Sequence, residues 1–496
     1  MSYTYNVHNE VSSIKRTPGY TTYNIWGTGQ DTHRLLGILI GSLTSNSSRI
    51  LSAHNTLSSM IKRNGSLPVS EMNGLQLKAG YFYTYSVSGN VIEKDVISNT
   101  SKSLGYIRIG YSYDAENQLT GFRVLNSLTL KGKATALYPH DSFGTALSSG
   151  TYAYDHNSNI TEVTRDAYAA PDVEPATLKL VYQYYADHPD RLKGIVTSGN
   201  NYPNLSLMES LNSKSYVYSS NSGELMSAPD GETYRYNREN EMSGLKLPNE
   251  VNIHYGYDAG GHLDYELSNL SASTSTSVNN TPVYFYGSGV ESQGDTEVNS
   301  LPGLATFTQT PKSVSVRELY EVAQGNVALT GVGSSLSHEY VYSPYGVQSD
   351  VYHPLDIPSG ITSYAGLEGS TFKPLDISKN RFGYTGQSLD PSSGLMMLGG
   401  IRNYAPGIGR FIQPDTYNSF SKHSISNPYA YVLGNPMYYT DPTGHFNWKA
   451  FGMFTGLVVG MVASAVATVA TAGAASALLG VDAAAIGTVA GAGAVG

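Results

Sequence analysis

Apolar and polar positions alternate along most of the chain, in short runs separated by polar turns. The stretch "YSYDAENQLTGF" from Tyr111 shows the unit: two tyrosines two residues apart, then Asp, Asn or Ser, a polar turn, and a returning run such as "QLTGF" or "NITEV". In an extended strand, residues two apart share a face, so both tyrosines point the same way. Asp114, Asp155 and Asp258 follow such pairs, with Asn or Gly a few residues on. These residues favour turns, through side-chain bonds to the backbone or by tolerating positive φ. Each unit predicts a strand, a turn and a second strand.

The unit recurs at Tyr3, Tyr83, Tyr111, Tyr152, Tyr216, Tyr234 and Tyr255, with looser copies at Tyr182 and Tyr340. A motif copied this often predicts a repeat architecture. A lone hairpin is marginal, whereas stacked copies share one sheet and bury their tyrosine stripes against neighbours. The spacing is uneven. Ser/Asn-rich gaps such as "SNLSASTSTSVNNT" (268–281) read as loops, and 31–62 reads as an insertion with some helix.

Composition narrows the picture. Charged residues make up 14% of the chain, against roughly 25% in average globular proteins. Tyr and Gly, at 40 and 52 residues, favour strands and tight turns over helices. The net charge of -9 argues against a nucleic-acid binder. With no Cys there is no disulfide, thiolate nucleophile or Cys-ligated zinc. The 12 His are scattered without H-E-x-x-H; His8, His156 and His254 read as turn or surface residues. No G-x-S-x-G or phosphate loop occurs, so neither a metal nor a cofactor is expected. The start, "MSYTYNVHNE", has no signal-peptide pattern.

These repeats are similar to the tyrosine-aspartate repeats of the Rhs family, over most of 1–350. The resemblance implies a mostly β fold, a strip of stacked hairpins that spirals into a hollow shell. After a connecting segment (351–380), residues 381–446 contain Y-T-G-Q, D-P-x-x-G-L, R-x-Y-x-P-x-x-G-R-F, N-P-Y-A-Y, G-N-P and D-P-T-G-H in that order. This ordered set resembles the Rhs-associated core domain. Together with "HEYVYSPYG" at 338–346 and "DPTGHFNW", it is most similar to the C component of insecticidal toxin complexes, the TccC-like proteins.

In that family the core closes the shell and acts as an aspartyl autoprotease, cutting just downstream and leaving a variable C-terminal segment inside. Matched residue by residue, the resemblance implies Asp415 and Asp441 as the catalytic pair and Arg402 as their partner; Arg410 belongs to the motif without a catalytic role. Asp415 is followed by Thr416 where the family commonly has Pro, which changes the local turn. Two carboxylates sharing a proton can hydrolyse a peptide, one activating water and the other protonating. A nearby guanidinium can hold a carboxylate or polarise the scissile carbonyl. The alternative from the residues alone is that both aspartates simply open turns. Cleavage is expected within 446–457, where Trp448 and Phe451 read as packing anchors.

The C-terminal region, 447–496, is apolar and rich in Ala and Gly. Residues 450–480 carry no charge, which exceeds the ~20 residues a membrane-spanning helix needs. The segment reads either as a helix that contacts or enters a membrane, or as a payload shielded inside the shell. The final "GAGAVG" matches G-x-G-x-x-G without the strand and helix that a dinucleotide site requires. The body is shorter than a full C component and opens inside a repeat, which reads as a fragment, a split gene or a degraded copy with an incomplete shell. The resemblance implies a B-type partner that closes the shell, an A-type translocation pore, and an extracellular destination reached without a signal peptide. Two other classes remain open: a surface or wall-associated adhesion protein, and a membrane-active effector acting through 450–496.

Overall fold

The computed structural model describes residues 2–17, 19–28, 33–42, 47–64, 69–74, 76–170, 173–248, 251–269, 282–286, 289–301, 303–332, 335–352, 376–390, 393–415 and 427–445. Among the described residues, three antiparallel sheets account for most of the regular structure, and in each of them every strand pairs with its neighbours in sequence. The first sheet has 12 strands, from Ser2–Tyr5 to Leu192–Asn200. The second has 14, from Val217–Tyr218 to Gln348–Asp350. The third is small, with strands Ser388–Leu389, Met396–Leu398, Arg402–Ala405 and Arg410–Phe411. The fold is mostly β, and the large sheets do not close into a barrel.

The predicted turn chemistry is present in unit after unit. Asp155 Oδ1 accepts the amides of Asn157 and Asn159, both at 2.9 Å. Asp258 Oδ1 accepts those of Gly260 at 2.7 Å and His262 at 3.0 Å. Asn237 Oδ1 does the same for Glu239 and Glu241. In each turn one residue takes positive φ: Ser158 (62°), Gly261 (79°) and Asn240 (66°). The register then slips by one residue, as between Tyr154↔Ile160 and Ala153↔Glu162, giving the bulge that matches such a turn to the twist of its strands.

In at least five of the units the second tyrosine fastens its unit to the one before it, whereas the buried Tyr236 hydroxyl has no hydrogen-bond partner among the described residues. Tyr113 donates its hydroxyl to the Val91 carbonyl at 2.7 Å, Tyr154 to Leu119 at 2.8 Å, and Tyr184 to Ile160 at 2.7 Å. Tyr257 donates to Met242 at 2.9 Å and Tyr342 to Val327 at 2.6 Å. Each acceptor opens the return strand of the preceding hairpin. The tyrosine stripe is thus both apolar packing and a ladder of hydrogen bonds that satisfies carbonyls at strand starts.

Within 31–62 the apolar run "LLGILIG" forms the strand Leu35–Gly41, and the helix Ser47–Asn64 follows it. Alternation explains the strand: Ile38 and Ile40 join the large interior cluster, while Leu39 packs on the opposite face with Leu57 and Met72 of the helical insertion. A strand buried on both faces reads as a continuous apolar run.

Late strands of the second sheet pack back on early strands of the first. Tyr20 N donates to the Tyr320 hydroxyl at 2.9 Å, and the Arg16 guanidinium lies 4.5 Å from the Tyr320 ring centroid. Ser98 Oγ donates to Glu339 Oε2 at 2.9 Å. Burial pushes the Glu339 carboxyl up to about 8, against the lowering effect of that Ser98 bond. One apolar cluster runs from Ile38 through Tyr182 and Tyr234 to Tyr404, Phe411 and Tyr431, so the third sheet packs into the same interior as the repeats.

Candidate functional site

Residues 402–415 and 427–445 form a block held across the hairpin turns of the strip. Asn435 Nδ2 donates to Asn90 Oδ1 at 2.9 Å and Asn427 Nδ2 to Asn159 Oδ1 at 2.6 Å. Gln413 Nε2 donates to the Asn240 carbonyl at 3.1 Å, and the Tyr429 hydroxyl to that of Gly223 at 2.7 Å. Arg410, buried, donates to the Tyr184 hydroxyl at 3.0 Å and to the Asp190 carbonyl. It is a fastener between block and strip.

The stretch from Arg402 to Asp415 makes two short strands joined by a turn at 406–409, where Gly409 has φ 68°. The strand Arg402–Ala405 is buried along its whole length. The Arg402 guanidinium lies 3.6 Å from the Phe411 ring centroid, and burial pulls its pKa downward. Its Nη1 donates to the Pro428 carbonyl at 3.0 Å, and its Nε to that of Gly444. Its Nη2 lies 3.3 Å from Asp415 Oδ2 and 3.3 Å from Asp441 Oδ2.

The three residues singled out from the sequence are therefore in direct contact. Asp415 is brought in by its amide, which donates to the same Pro428 carbonyl at 3.0 Å. Asp441 is brought in by the D-P-T-G turn, which packs against the Gly399–Gly400 turn. A Cβ on Gly399 (φ 61°) would lie 2.2 Å from the Thr443 carbonyl, and one on Gly444 (φ 71°) 2.5 Å from that of Leu398. These two glycines permit the close approach that seats Asp441 beside Arg402.

Asp441 is only 1% exposed, and among the described residues nothing hydrogen-bonds its Oδ1. Burial raises its pKa, Arg402 opposes that shift and Asp415 adds to it. His445 and the Thr443 amide oppose the shift more weakly, and burial beside a second carboxylate still favours the protonated form of Asp441. Sequence reasoning missed His445, whose Nδ1 lies 2.8 Å from Asp415 Oδ1. Its place four residues after Asp441 was visible, but its contact partner lies thirty positions back in the chain.

Of the histidines read as turn or surface residues, His8 and His156 are exposed in turns, whereas His254 is half-buried in the strand Asn252–Tyr257. Among the described residues no group of three or more His, Asp or Glu could hold a metal ion, and no helix is long and apolar enough to cross a membrane. Of the stretch 268–281 expected as a loop, Ser268 and Asn269 end the strand Leu263–Asn269, and 270–281 lie outside the described residues, as do Trp448, Phe451, the expected cleavage segment 446–457 and the apolar run 450–480.

No protein-family model matches the sequence, and no curated protein matches it. Among solved structures, the chain is similar to the crystal structure of TcdB2-TccC3, at 15% identity and a TM-score of 0.45, covering 89% of this chain and 22% of that one. It is also similar to that of TcdB2-TccC3-Cdc42, at 14% identity and a TM-score of 0.42, covering 93% and 22%. The chain spans about a fifth of the length of those structures.

Proposed function

We propose that this protein is the shell component of a toxin complex, which encloses its own C-terminal segment and severs it once by aspartyl autoproteolysis. The observation that supports this most is the shared contact of Arg402 with two carboxylates from distant parts of the block, with Asp441 Oδ1 without a hydrogen-bond partner among the described residues. A structural ion pair would be complete with one carboxylate. A buried second one costs stability unless it is protonated or used.

In the proposed reaction, ionised Asp415 takes a proton from water as the oxygen adds to the scissile carbonyl carbon. Protonated Asp441 gives its proton to the carbonyl oxygen. Collapse of the resulting gem-diol breaks the C–N bond, returning a proton to Asp441 while Asp415 passes its own to the leaving nitrogen. One water is consumed, and a new carboxyl and a new amine result. The segment 446–457 follows His445 directly in the chain, so the reaction is intramolecular, and covalent tethering of this kind raises effective concentration. The motif resemblance extends the proposal to a B-type partner completing the enclosure, an A-type pore, and an extracellular destination for 450–496.

The test is to produce the full chain and determine its mass on gels and by intact-mass spectrometry. A body ending within 446–457 plus the remaining peptide is expected, and a single full-length species from both Asp415→Asn and Asp441→Asn. An uncut wild-type chain would remove the protease and leave a passive shell. Cleavage persisting in both variants would move the site elsewhere.

A further inference from the structure

The two carboxylates are not equivalent, and the difference comes from the last residue of D-P-T-G-H, to which the motif assigns no role. Each oxygen of Asp415 has a cationic or N–H partner: Arg402 Nη2 on Oδ2 and His445 Nδ1 on Oδ1. Asp441 shares the same Arg402 nitrogen on Oδ2, while its Oδ1 has no partner among the described residues. A carboxylate bonded at both oxygens is held in its charged form, whereas a buried one with an unsatisfied oxygen favours the proton.

His445 is placed for this. Its side chain is 16% exposed. Its amide donates to Thr443 Oγ1 at 3.2 Å, and that hydroxyl donates back to the His445 carbonyl at 2.9 Å. The turn 441–445 therefore delivers Asp441 and His445 as one unit to the two sides of Arg402 and Asp415. Among the described residues the charged and titratable groups meeting there include Arg402 from its strand, Asp415 from the end of the next, Asp441 and His445 from the turn, and the buried Tyr431 beside Asp441.

We propose that His445 is a positioning residue that assigns the roles at this site, holding Asp415 as the base and so leaving Asp441 as the acid that faces the scissile peptide. The inference rests on the cleavage reading above. Nδ1 must carry the proton in this arrangement, since it faces a carboxylate oxygen.

The experiment follows cleavage of the full chain, made by cell-free synthesis and shifted into buffers from about pH 4 to about pH 9, where carboxyl and imidazole groups titrate. His445→Ala should slow cleavage about tenfold, the scale of one lost positioning bond, and move the acidic limb of the rate profile up by about one pH unit, because Asp415 loses a bond that favours its charged form. His445→Asn keeps an N–H near the place of Nδ1 and should restore most of the rate and return the limb. A purely structural histidine would not shift the limb. The proposal is overturned if His445→Ala matches wild type in rate and profile, or if Asn rescues no better than Ala. If cleavage stops in Asp415→Asn and Asp441→Asn yet ignores His445, only this inference fails. If wild type is not cut, or the aspartate variants are cut like wild type, the underlying reading fails with it.

Discussion

Asp155 and Asp441 both open tight turns, and a sequence pattern treats them alike. In the repeat, Asp155 spends both oxygens locally: Oδ1 on two turn amides and Oδ2 on the Asn159 side chain at 3.0 Å. In the block, Asp441 turns one oxygen to a guanidinium that another carboxylate also holds, and buries the other with nothing bonded to it among the described residues. A satisfied aspartate stabilises a turn; one left short of partners in a buried, charged cluster stores electrostatic free energy that chemistry can use. The contrast separates a strip made to be repeated from a block made once.

The largest effect should come from the aspartates themselves. Asp441→Asn should reduce self-cleavage by about a thousandfold or more, read by intact mass over time, while Asp155→Ala leaves the rate unchanged and lowers unfolding free energy by about 1 kcal/mol. Equal effects of the two on cleavage would erase the distinction drawn here. Next comes Arg402→Gln, which leaves two carboxylates together in the interior; urea unfolding should show a loss of roughly 3–5 kcal/mol. If its midpoint stays at the wild-type value, the cluster is wetter than its burial implies. Gly399→Ala forces a Cβ into the Thr443 carbonyl at positive φ and should cost about 1–3 kcal/mol in the same measurement, with slower cleavage because the 441–445 turn is displaced.

Smaller effects probe the strip. Tyr113→Phe removes one inter-unit hydroxyl bond and should lower stability by about 1 kcal/mol; no change would reduce the tyrosine ladder to apolar packing. Glu339→Gln should act through pH. Because the folded carboxyl is pushed up to about 8 from its ordinary value of 4.5, the native state holds the extra proton between those values, and wild-type stability falls as pH rises through that window. The variant should melt higher than wild type near pH 8, and the difference should vanish near pH 4. A gap independent of pH would mean that another group controls the contact between the two large sheets.

Much of the strip could be read from the sequence because its determinants are local. The tyrosine spacing sets the face, and the Asp or Asn that follows caps its own turn two and four residues on. The strands between Val290 and Val332 were harder to read, since none carries a tyrosine pair and their pairing is carried by the backbone. Asp141 caps a turn in the same way, accepting the amides of Phe143 and Thr145 at 2.9 and 2.8 Å, yet no tyrosine pair announces it. At the candidate site the residue types were legible but their meeting was not. Asp415 reaches Arg402 only because the Pro428 carbonyl ties both, and Asp441 only because two glycines let one turn lie on another. His445 acquires its contact from that packing alone.

The hydroxyl ladder also imposes an order of assembly. The second tyrosines at 113, 154, 184 and 257 each reach for a carbonyl that lies earlier in the chain, at the start of the preceding return strand. During synthesis the hairpins that carry them therefore meet a partner that has already emerged. The strip can grow vectorially, one hairpin docking on the last, with little exposure of unpaired edge at any moment. The block that bears Arg402, Asp415 and Asp441 touches turns from Asn90 to Asn240, so it can seat only after those turns exist. On this route Arg402, Asp415 and Asp441 come together last, when the turns they rest on already stand.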